Sequence, residues 1–566
     1  MKYKKRLAKI IGIILSVAFI MPLLSGCSGK KDVAKLESAL FTRMGAVLVL
    51  SEARDVSEVK VADKKVDFTQ PNTKTILASF EWEPNEKCAI TIKSEEGVIT
   101  QETESPKKPS AYKLGEAKLG SLEELPQIGD WQGVPSEETI VSPDGKYIAI
   151  AGFDGKFYVF DNAGKKLWDY QVPDGVGKKV AFSSNGEILL AGEASADGYL
   201  YAFNTKTGEE LWKYKVSEDV GTSTDSYWYY RPMIYSLTVS GDTAFAAGQL
   251  KQKENKMVED KEVTVYKTKC FIYAFDVESG KTKWRFPEDE PMDTGVPKVV
   301  ATPDGNKVMF VNQSWNYGMV QEKYPDGTVR LLNGETGKEM AVYKVDALEP
   351  YFKFVGIWDG ICISPDGNHF TAMAGDGRGF LFDLTKAKET GELKLVWMKE
   401  ISKIQEVSGV PIYAYGNGTH VDNEGNAIFA TSVTYSADKT KCSGTPPAVH
   451  PDATTIFAYS NEGKLQWKWK AEGKIGCPLF SQDNRYMVVG VAHDWVSQNK
   501  DMAGVQCFDL TKEGNASNKL CWFYPMEGIC AIATISNNGE SIAAIEAPIQ
   551  MEDKSISGNH KIHFVR

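Results

Sequence analysis

A two-part repeat runs through most of this 566-residue chain and restricts its fold more than any other feature. The first half is a turn of the type Ser-Pro-Asp-Gly between short apolar strands. It recurs eight times, as VSPDGKYIAIAG (141–152), FSSNGEILLAG (182–192), TVSGDTAFAAG (238–248), ATPDGNKVMFV (301–311), ISPDGNHFTAM (363–373), VDNEGNAIFAT (421–431), FSQDNRYMVVG (480–490) and ISNNGESIAAI (535–545). The second half is a hairpin with an aromatic-rich strand, a polar turn and a Trp-bearing strand. Its seven copies are YVFDNAGKKLWDY (158–170), YAFNTKTGEELWKY (201–214), IYAFDVESGKTKWRF (272–286), VRLLNGETGKEMAVY (329–343), FLFDLTKAKETGELKLVW (380–397), IFAYSNEGKLQWKW (456–469) and VQCFDLTKEGNASNKLCWF (505–523). Each pair of halves supplies four short strands, A to D, which cannot bury both faces alone and must stack on neighbours around an axis. The predicted fold is therefore all-β, an eight-bladed β-propeller over 138–566, with a seven-bladed ring as the alternative. The last unit ends at KIHFV (561–565) with a third strand and no fourth. A strand from the linker 106–137, within SAYKLGEAKLG (110–120), is expected to close the ring.

Most of the repeating letters have structural work to do. Asp144-Gly145, Asp304-Gly305 and Asp366-Gly367 follow a proline that presets φ, and the glycine accepts a positive one. Gly208, Gly280 and Gly337 serve the later hairpin in the same way, and Trp168, Trp212, Trp284, Trp397, Trp467 and Trp522 are expected to pack between neighbouring blades.

Loop length points to a working face. In an up-and-down blade the A–B and C–D turns share one end, and here they are short. The B–C connections at the other end swell to 251–267, 312–327, 435–453 and 493–504, and the D–A connections 222–235, 349–360 and 406–419 carry aromatic clusters. Long loops on one end of a rigid scaffold are where binding usually resides. Trp228, Tyr229, Tyr230, Trp315, Tyr317, Tyr351, Phe352, Trp358, Tyr413, Tyr415 and Trp495 are thus candidates for an aromatic face suited to a protein or glycan partner, or for rings that pack the loops on one another.

The N-terminus looks like an address. Lys2, Lys4, Lys5, Arg6 and Lys9 precede an apolar run from Ile10 to Leu24, too short for a stable membrane span. Leu24-Ser25-Gly26-Cys27 resembles the lipobox of bacterial lipoproteins, which implies a signal peptide over 1–26 and a lipid on Cys27 as the first mature residue. The remainder is then expected to be extracytoplasmic and membrane-anchored. A polar tether (27–44) leads to alternating segments over 45–105 that read as a small Ig-like β-sandwich. Charge argues against nucleic acid as a partner: 65 Lys and Arg against 75 Asp and Glu give −10, and without the five basic leader residues the balance is 60 against 75, or −15.

The aromatic-Ala-Phe-Asp, Thr-Gly and Trp pattern resembles the PQQ-like repeat, which is found in quinoprotein alcohol dehydrogenases and in outer-membrane assembly lipoproteins. The second kind implies a protein-interaction scaffold without catalysis; the first implies an extracytoplasmic enzyme or small-ligand binder at the channel mouth, and both remain open. A quinone with calcium is not expected, because the Cys-Cys dipeptide of the methanol-oxidising type is missing, as is any Cys-x-x-Cys-His or recognisable metal-ligand spacing. A propeller after a sandwich also resembles arylsulfate sulfotransferases, whose His motif is not found here. His420, placed at the start of an A strand, and the loop residues His450 and His493 could still converge on a ligand. Cys507 and Cys521 face each other across a C–D hairpin and are the expected disulfide, while Cys362, Cys477 and Cys530 begin or precede A strands near the axis.

Overall fold

The computed structural model describes residues 34–565 apart from 43–44, 74, 84–85, 106–109, 115–135, 259–260, 314–322, 353–354, 359, 386, 388–390, 438–445, 472, 493–502 and 551–554. The chain divides into two compact units, residues 1–108 with Trp522–Pro525, and the remainder. Among the described residues no helix is long and apolar enough to cross a membrane.

Residues 36–104 form two four-stranded sheets. Alternation explains them: every second residue of Val56–Val61 and Lys87–Ser94 turns inward, so Val59, Ile90 and Ile92 meet Leu48, Leu50 and Ile76 in one core. One boundary differs from the sequence expectation. Leu36–Thr42, assigned above to the tether, is a strand paired with Gly45–Leu50, because Ala34 and Leu36 are drawn into that core.

From residue 136 onward the repeat becomes a series of four-stranded antiparallel meanders. They occupy 136–171, 175–215, 233–286, 299–344, 361–400, 410–470, 479–525 and, for the last, 529–565 with Ser110–Lys113 as its fourth strand. That strand pairs antiparallel with Lys561–Val565, setting Ala111 opposite His563 and Tyr112 opposite Ile562. Phe160 of the first meander packs on Phe564 of the last at 5.1 Å, so the two ends of the ring share a core. The A–B turns repeat one hydrogen bond, from the fourth turn residue back to the first, as in Gly145 N–H to Ser142 O at 2.8 Å and Gly367 N–H to Ser364 O at 2.9 Å.

Four of the tryptophans join one meander to the next. The Trp168 indole donates to Thr205 O (2.7 Å), Trp212 to Val277 O (2.9 Å), Trp284 to Gly334 O (2.8 Å) and Trp397 to Asn461 O (2.9 Å). Each ring slides beneath the next C–D turn. A Cβ on Gly208 would lie 2.8 Å from Trp168, and one on Gly280 2.5 Å from Trp212. Those glycines, at φ +74° and +70°, satisfy both the turn and the ring beneath it.

Two segments expected as loops are strands. Thr243–Val258 and Lys261–Asp276 pair without interruption, so 251–267 is the outer half of a long hairpin. Alternation of the kind seen in KEVTVYKTK continues the ladder past the sheet. The 406–419 segment likewise belongs to Gln405–Val407 and Val410–Val421, and the latter is the whole A strand of the sixth meander.

Candidate functional site

The aromatic loop after the second meander forms a short 3-10 turn, Trp228–Tyr230, between Asp225 and strand A of the third meander, Met233–Ser240. Asp225 fixes its entry by accepting the Tyr227 N–H at 2.8 Å, and Arg231 Nε closes the loop on Asp225 O at 2.6 Å. Trp228 stacks on Phe153, from the B–C turn of the first meander, at 5.4 Å. Its indole N–H finds no hydrogen-bond partner among the described residues.

Lysines complete this cluster, and sequence reasoning missed them. Lys178, on strand A of the second meander, is 2% exposed; its ammonium stands 4.3 Å from the Trp228 ring and 5.1 Å from that of Tyr235, and it pairs with Glu137. Lys251, at the base of the long hairpin, lies 4.9 Å from Tyr229 and 4.4 Å from Tyr266, and burial pulls its pKa down to about 7. Lys253, next on the same face, lies 4.3 Å over Tyr230, which stacks on Tyr266 with planes 4° apart. Ring faces attract such cations, and sheltering from water strengthens the attraction. The legible signal was Lys251-Gln252-Lys253 alternating after an apolar strand.

A second aromatic group sits at the same end of the sixth meander. Tyr413 is directly opposite Tyr435 in the A–B ladder, Phe352 meets Tyr413 edge-on at 5.1 Å, and Tyr415 meets Tyr435 at 5.7 Å. Tyr351 and Trp358 are half-buried beside it in sequence, while Trp315, Tyr317 and Trp495 lie outside the described residues, as does Cys27. Trp228, Tyr229 and Tyr230 thus pack in one cluster and Phe352, Tyr413 and Tyr415 in another, each half-buried or buried.

A family model described as outer membrane protein assembly factor BamB matches residues 127–255 and 153–408. Over those residues the chain matches the PQQ-like β-propeller family. Similar solved structures include BamB from Moraxella catarrhalis, 14% identical over 76% of this chain and 99% of that one with a TM-score of 0.42, and the RRP9 WD40 repeats, 14% identical over 68% and 92% with a TM-score of 0.41. No curated protein gives a match.

Trp168, Trp212, Trp284 and Trp397 are taken up by contacts between meanders, and among the described residues there is no group of three His, Cys, Asp or Glu placed to hold a metal. His420 and His450 stand apart, at opposite ends of the sixth meander. Strand A of the sixth meander begins at Val410, so His420 stands near its end rather than its start, beside the A–B turn. His450 is fully buried in the B–C connection, where Nε2 donates to Lys403 O at 2.8 Å and Nδ1 accepts the Asp452 N–H at 3.1 Å. It organises that loop. His493 lies outside the described residues. Cys507 and Cys521 are adjacent free thiols that share a hydrogen bond; that bond pulls Cys521 down to about 7 and pushes Cys507 far up.

Proposed function

We propose that this PQQ-like propeller is an extracytoplasmic scaffold, anchored to a membrane through lipid on Cys27, that receives another protein at its long-loop end. The observation carrying this reading is the long hairpin. Strand Thr243–Val258 has a neighbour on its outer side only as far as Gln249, and strand Lys261–Asp276 only from Cys270 onward, among the described residues. Between those points the hairpin runs on beyond the rest of its sheet, and Met257 toward its outer end is 68% exposed. A hairpin that outruns its sheet is a template for an extended segment of another protein, and the lysines along it disfavour pairing with a second copy of itself. Trp228, Tyr229 and Tyr230, with the buried lysines, hold the base of the hairpin rigid, so a partner meets a preformed surface. The match to a family of outer-membrane assembly factors supports a protein rather than a glycan as that partner.

The test is photocrosslinking from Met257 in intact cells, together with a chain in which Asn-Gly replaces 253–266 between the paired Gln252 and Lys267. A discrete protein adduct is expected from Met257, and that same protein should no longer co-purify with the shortened chain. No adduct, or unchanged co-purification, overturns the reading.

A further inference from the structure

At the opposite end of the propeller, three successive meanders place a thiol, an imidazole and a carboxamide in a row. Cys362 Sγ lies 3.6 Å from His420 Nδ1, and His420 Nε2 lies 2.8 Å from Asn484 Oδ1. The imidazole stacks flat on Phe480, centroids 3.6 Å apart and planes 9° apart, so the ring has one orientation. With Oδ1 facing it, Nε2 carries the hydrogen and Nδ1 turns its lone pair to the thiol. All three residues are partly exposed.

The repeat shows how unusual the arrangement is. Cys362 and His420 each stand two residues before the head of an A–B turn, Ser364 and Asp422. In other meanders with the same turn hydrogen bond that position holds Ile140, Ala181, Val300, Leu479 and Thr534. Asn484 occupies the fourth turn position, where Gly145, Gly186, Gly305, Gly367, Gly425 and Gly539 stand elsewhere, and it adopts φ +59° as they adopt positive φ. Among these turns Asn484 is the one non-glycine residue at this position, and it is the residue that holds His420.

We propose that Cys362, His420 and Asn484 form a nucleophilic thiol site that accepts acyl groups from activated donors, thioesters and aryl esters, with His420 as acid–base and Asn484 as the positioning residue. The Cys362 proton passes to His420 Nδ1; Sγ attacks the carbonyl carbon, a C–S bond forms and the bond to the leaving oxygen or sulfur breaks, and the leaving group departs with the proton from His420. Water then attacks the thioester, His420 takes its proton, the C–S bond breaks and the thiol is restored. The surroundings favour the thiolate. Burial alone raises the Cys362 pKa, but the His420 charge and hydrogen bond, the charge of Lys298 and the Val421 N–H outweigh it and hold the thiol below its usual value. A thiolate or phenolate leaving group departs readily with the proton His420 supplies, which favours thioesters and aryl esters as donors.

The full chain in detergent, carrying Cys521→Ser to remove the other thiol of lowered pKa, is treated with p-nitrophenyl acetate. A burst of nitrophenolate is expected, with one acetyl group mapped to Cys362 and none after Cys362→Ser. His420→Gln should slow acetylation at pH 7 by about 100-fold. Asn484→Gly, which restores the glycine of the other turns, should slow it about tenfold and raise the midpoint of the iodoacetamide pH–rate profile of Cys362, with the melting temperature unchanged. Acetyl groups spread over several cysteines, an alkylation profile of an ordinary free thiol, or an Asn484→Gly chain that reacts like its parent would each overturn the proposal.

Discussion

The two ends of the propeller solve different problems with the same strands. At the turn end everything is short and tied sideways: Asp366 N–H donates to Asn423 Oδ1 (2.9 Å), Gln482 N–H to Asn537 O (3.0 Å) and Ser541 Oγ to Gly145 O (3.0 Å), each joining one meander's turn to another's. The tryptophan rings add a second set of ties below the C–D turns. At the loop end the backbone itself departs from the repeat, in the hairpin beyond Gln249 and the 3-10 turn at Trp228, and is held by packing of rings on buried ammonium groups. Because the turn-end backbone is fixed by the repeat, changing a residue type there changes chemistry without changing shape. At the loop end, shape and surface change together.

The largest expected effect comes from breaking the ties of the turn end. A Cβ at Gly280 would sit 2.5 Å from the Trp212 ring and on a residue at φ +70°. Gly280→Ala should therefore cost about 2–5 kcal/mol, overpacking and left-handed strain together. Gly409, in the turn between Gln405–Val407 and Val410–Val421 at the loop end, has a similar φ of +75° with nothing within 4 Å of its Cβ position. Gly409→Ala should cost only about 1 kcal/mol, the strain alone. Urea denaturation of the two variants compares the ends directly, and equal losses would mean that the indole contact contributes nothing.

How much of this was legible in the sequence follows the same division. The four-strand period, the turn glycines and the tryptophans joining blades could be read because a repeat reports each position many times over. The loop end could be located by length but not resolved: nothing local distinguishes a swollen loop from a hairpin that continues its ladder, and 251–267 proved to be the latter. Lys178 was overlooked because a lysine on an inner strand is noticed only once Glu137 and Trp228, 41 and 50 residues away in sequence, are seen beside it. His420 was placed at the wrong end of its strand because Tyr413 and Tyr415 were taken for loop residues. With that corrected, it leaves His450 and meets Cys362 and Asn484.

An intermediate effect should separate the loop end by its pH dependence. Lys251 is pulled down to about 7 by burial, whereas in the unfolded chain it keeps its proton to about 10.4. Above pH 7 the unfolded state thus binds more protons than the folded one, and stability rises with pH until the unfolded lysine titrates too. Between pH 7 and 9 the gain should be about 1–2 kcal/mol, allowing for residual solvation of the ammonium. Lys251→Met should flatten that slope and leave the turn-end variants' slopes alone. Parallel pH profiles for parent and Lys251→Met would show that the ammonium is not sheltered by Tyr229 and Tyr266.

The smallest stability effect is expected at Asn484. Replacing it with glycine relieves a left-handed residue at φ +59°, worth about 1 kcal/mol, but adds the backbone entropy of a glycine, about 0.5–1 kcal/mol. The lost hydrogen bond to His420 costs roughly another 0.5–1.5 kcal/mol. These terms sum to a loss of about 0–1.5 kcal/mol, so Asn484→Gly should shift the denaturation midpoint much less than Gly280→Ala does. A side chain that contributes so little to folding, yet occupies a position that six other turns give to glycine, has to be explained by what it holds in place. If Asn484→Gly instead destabilises the chain as much as Gly280→Ala, the bond to His420 is one more tie between meanders, equivalent to the indole contacts, and the turn end has a single structural role.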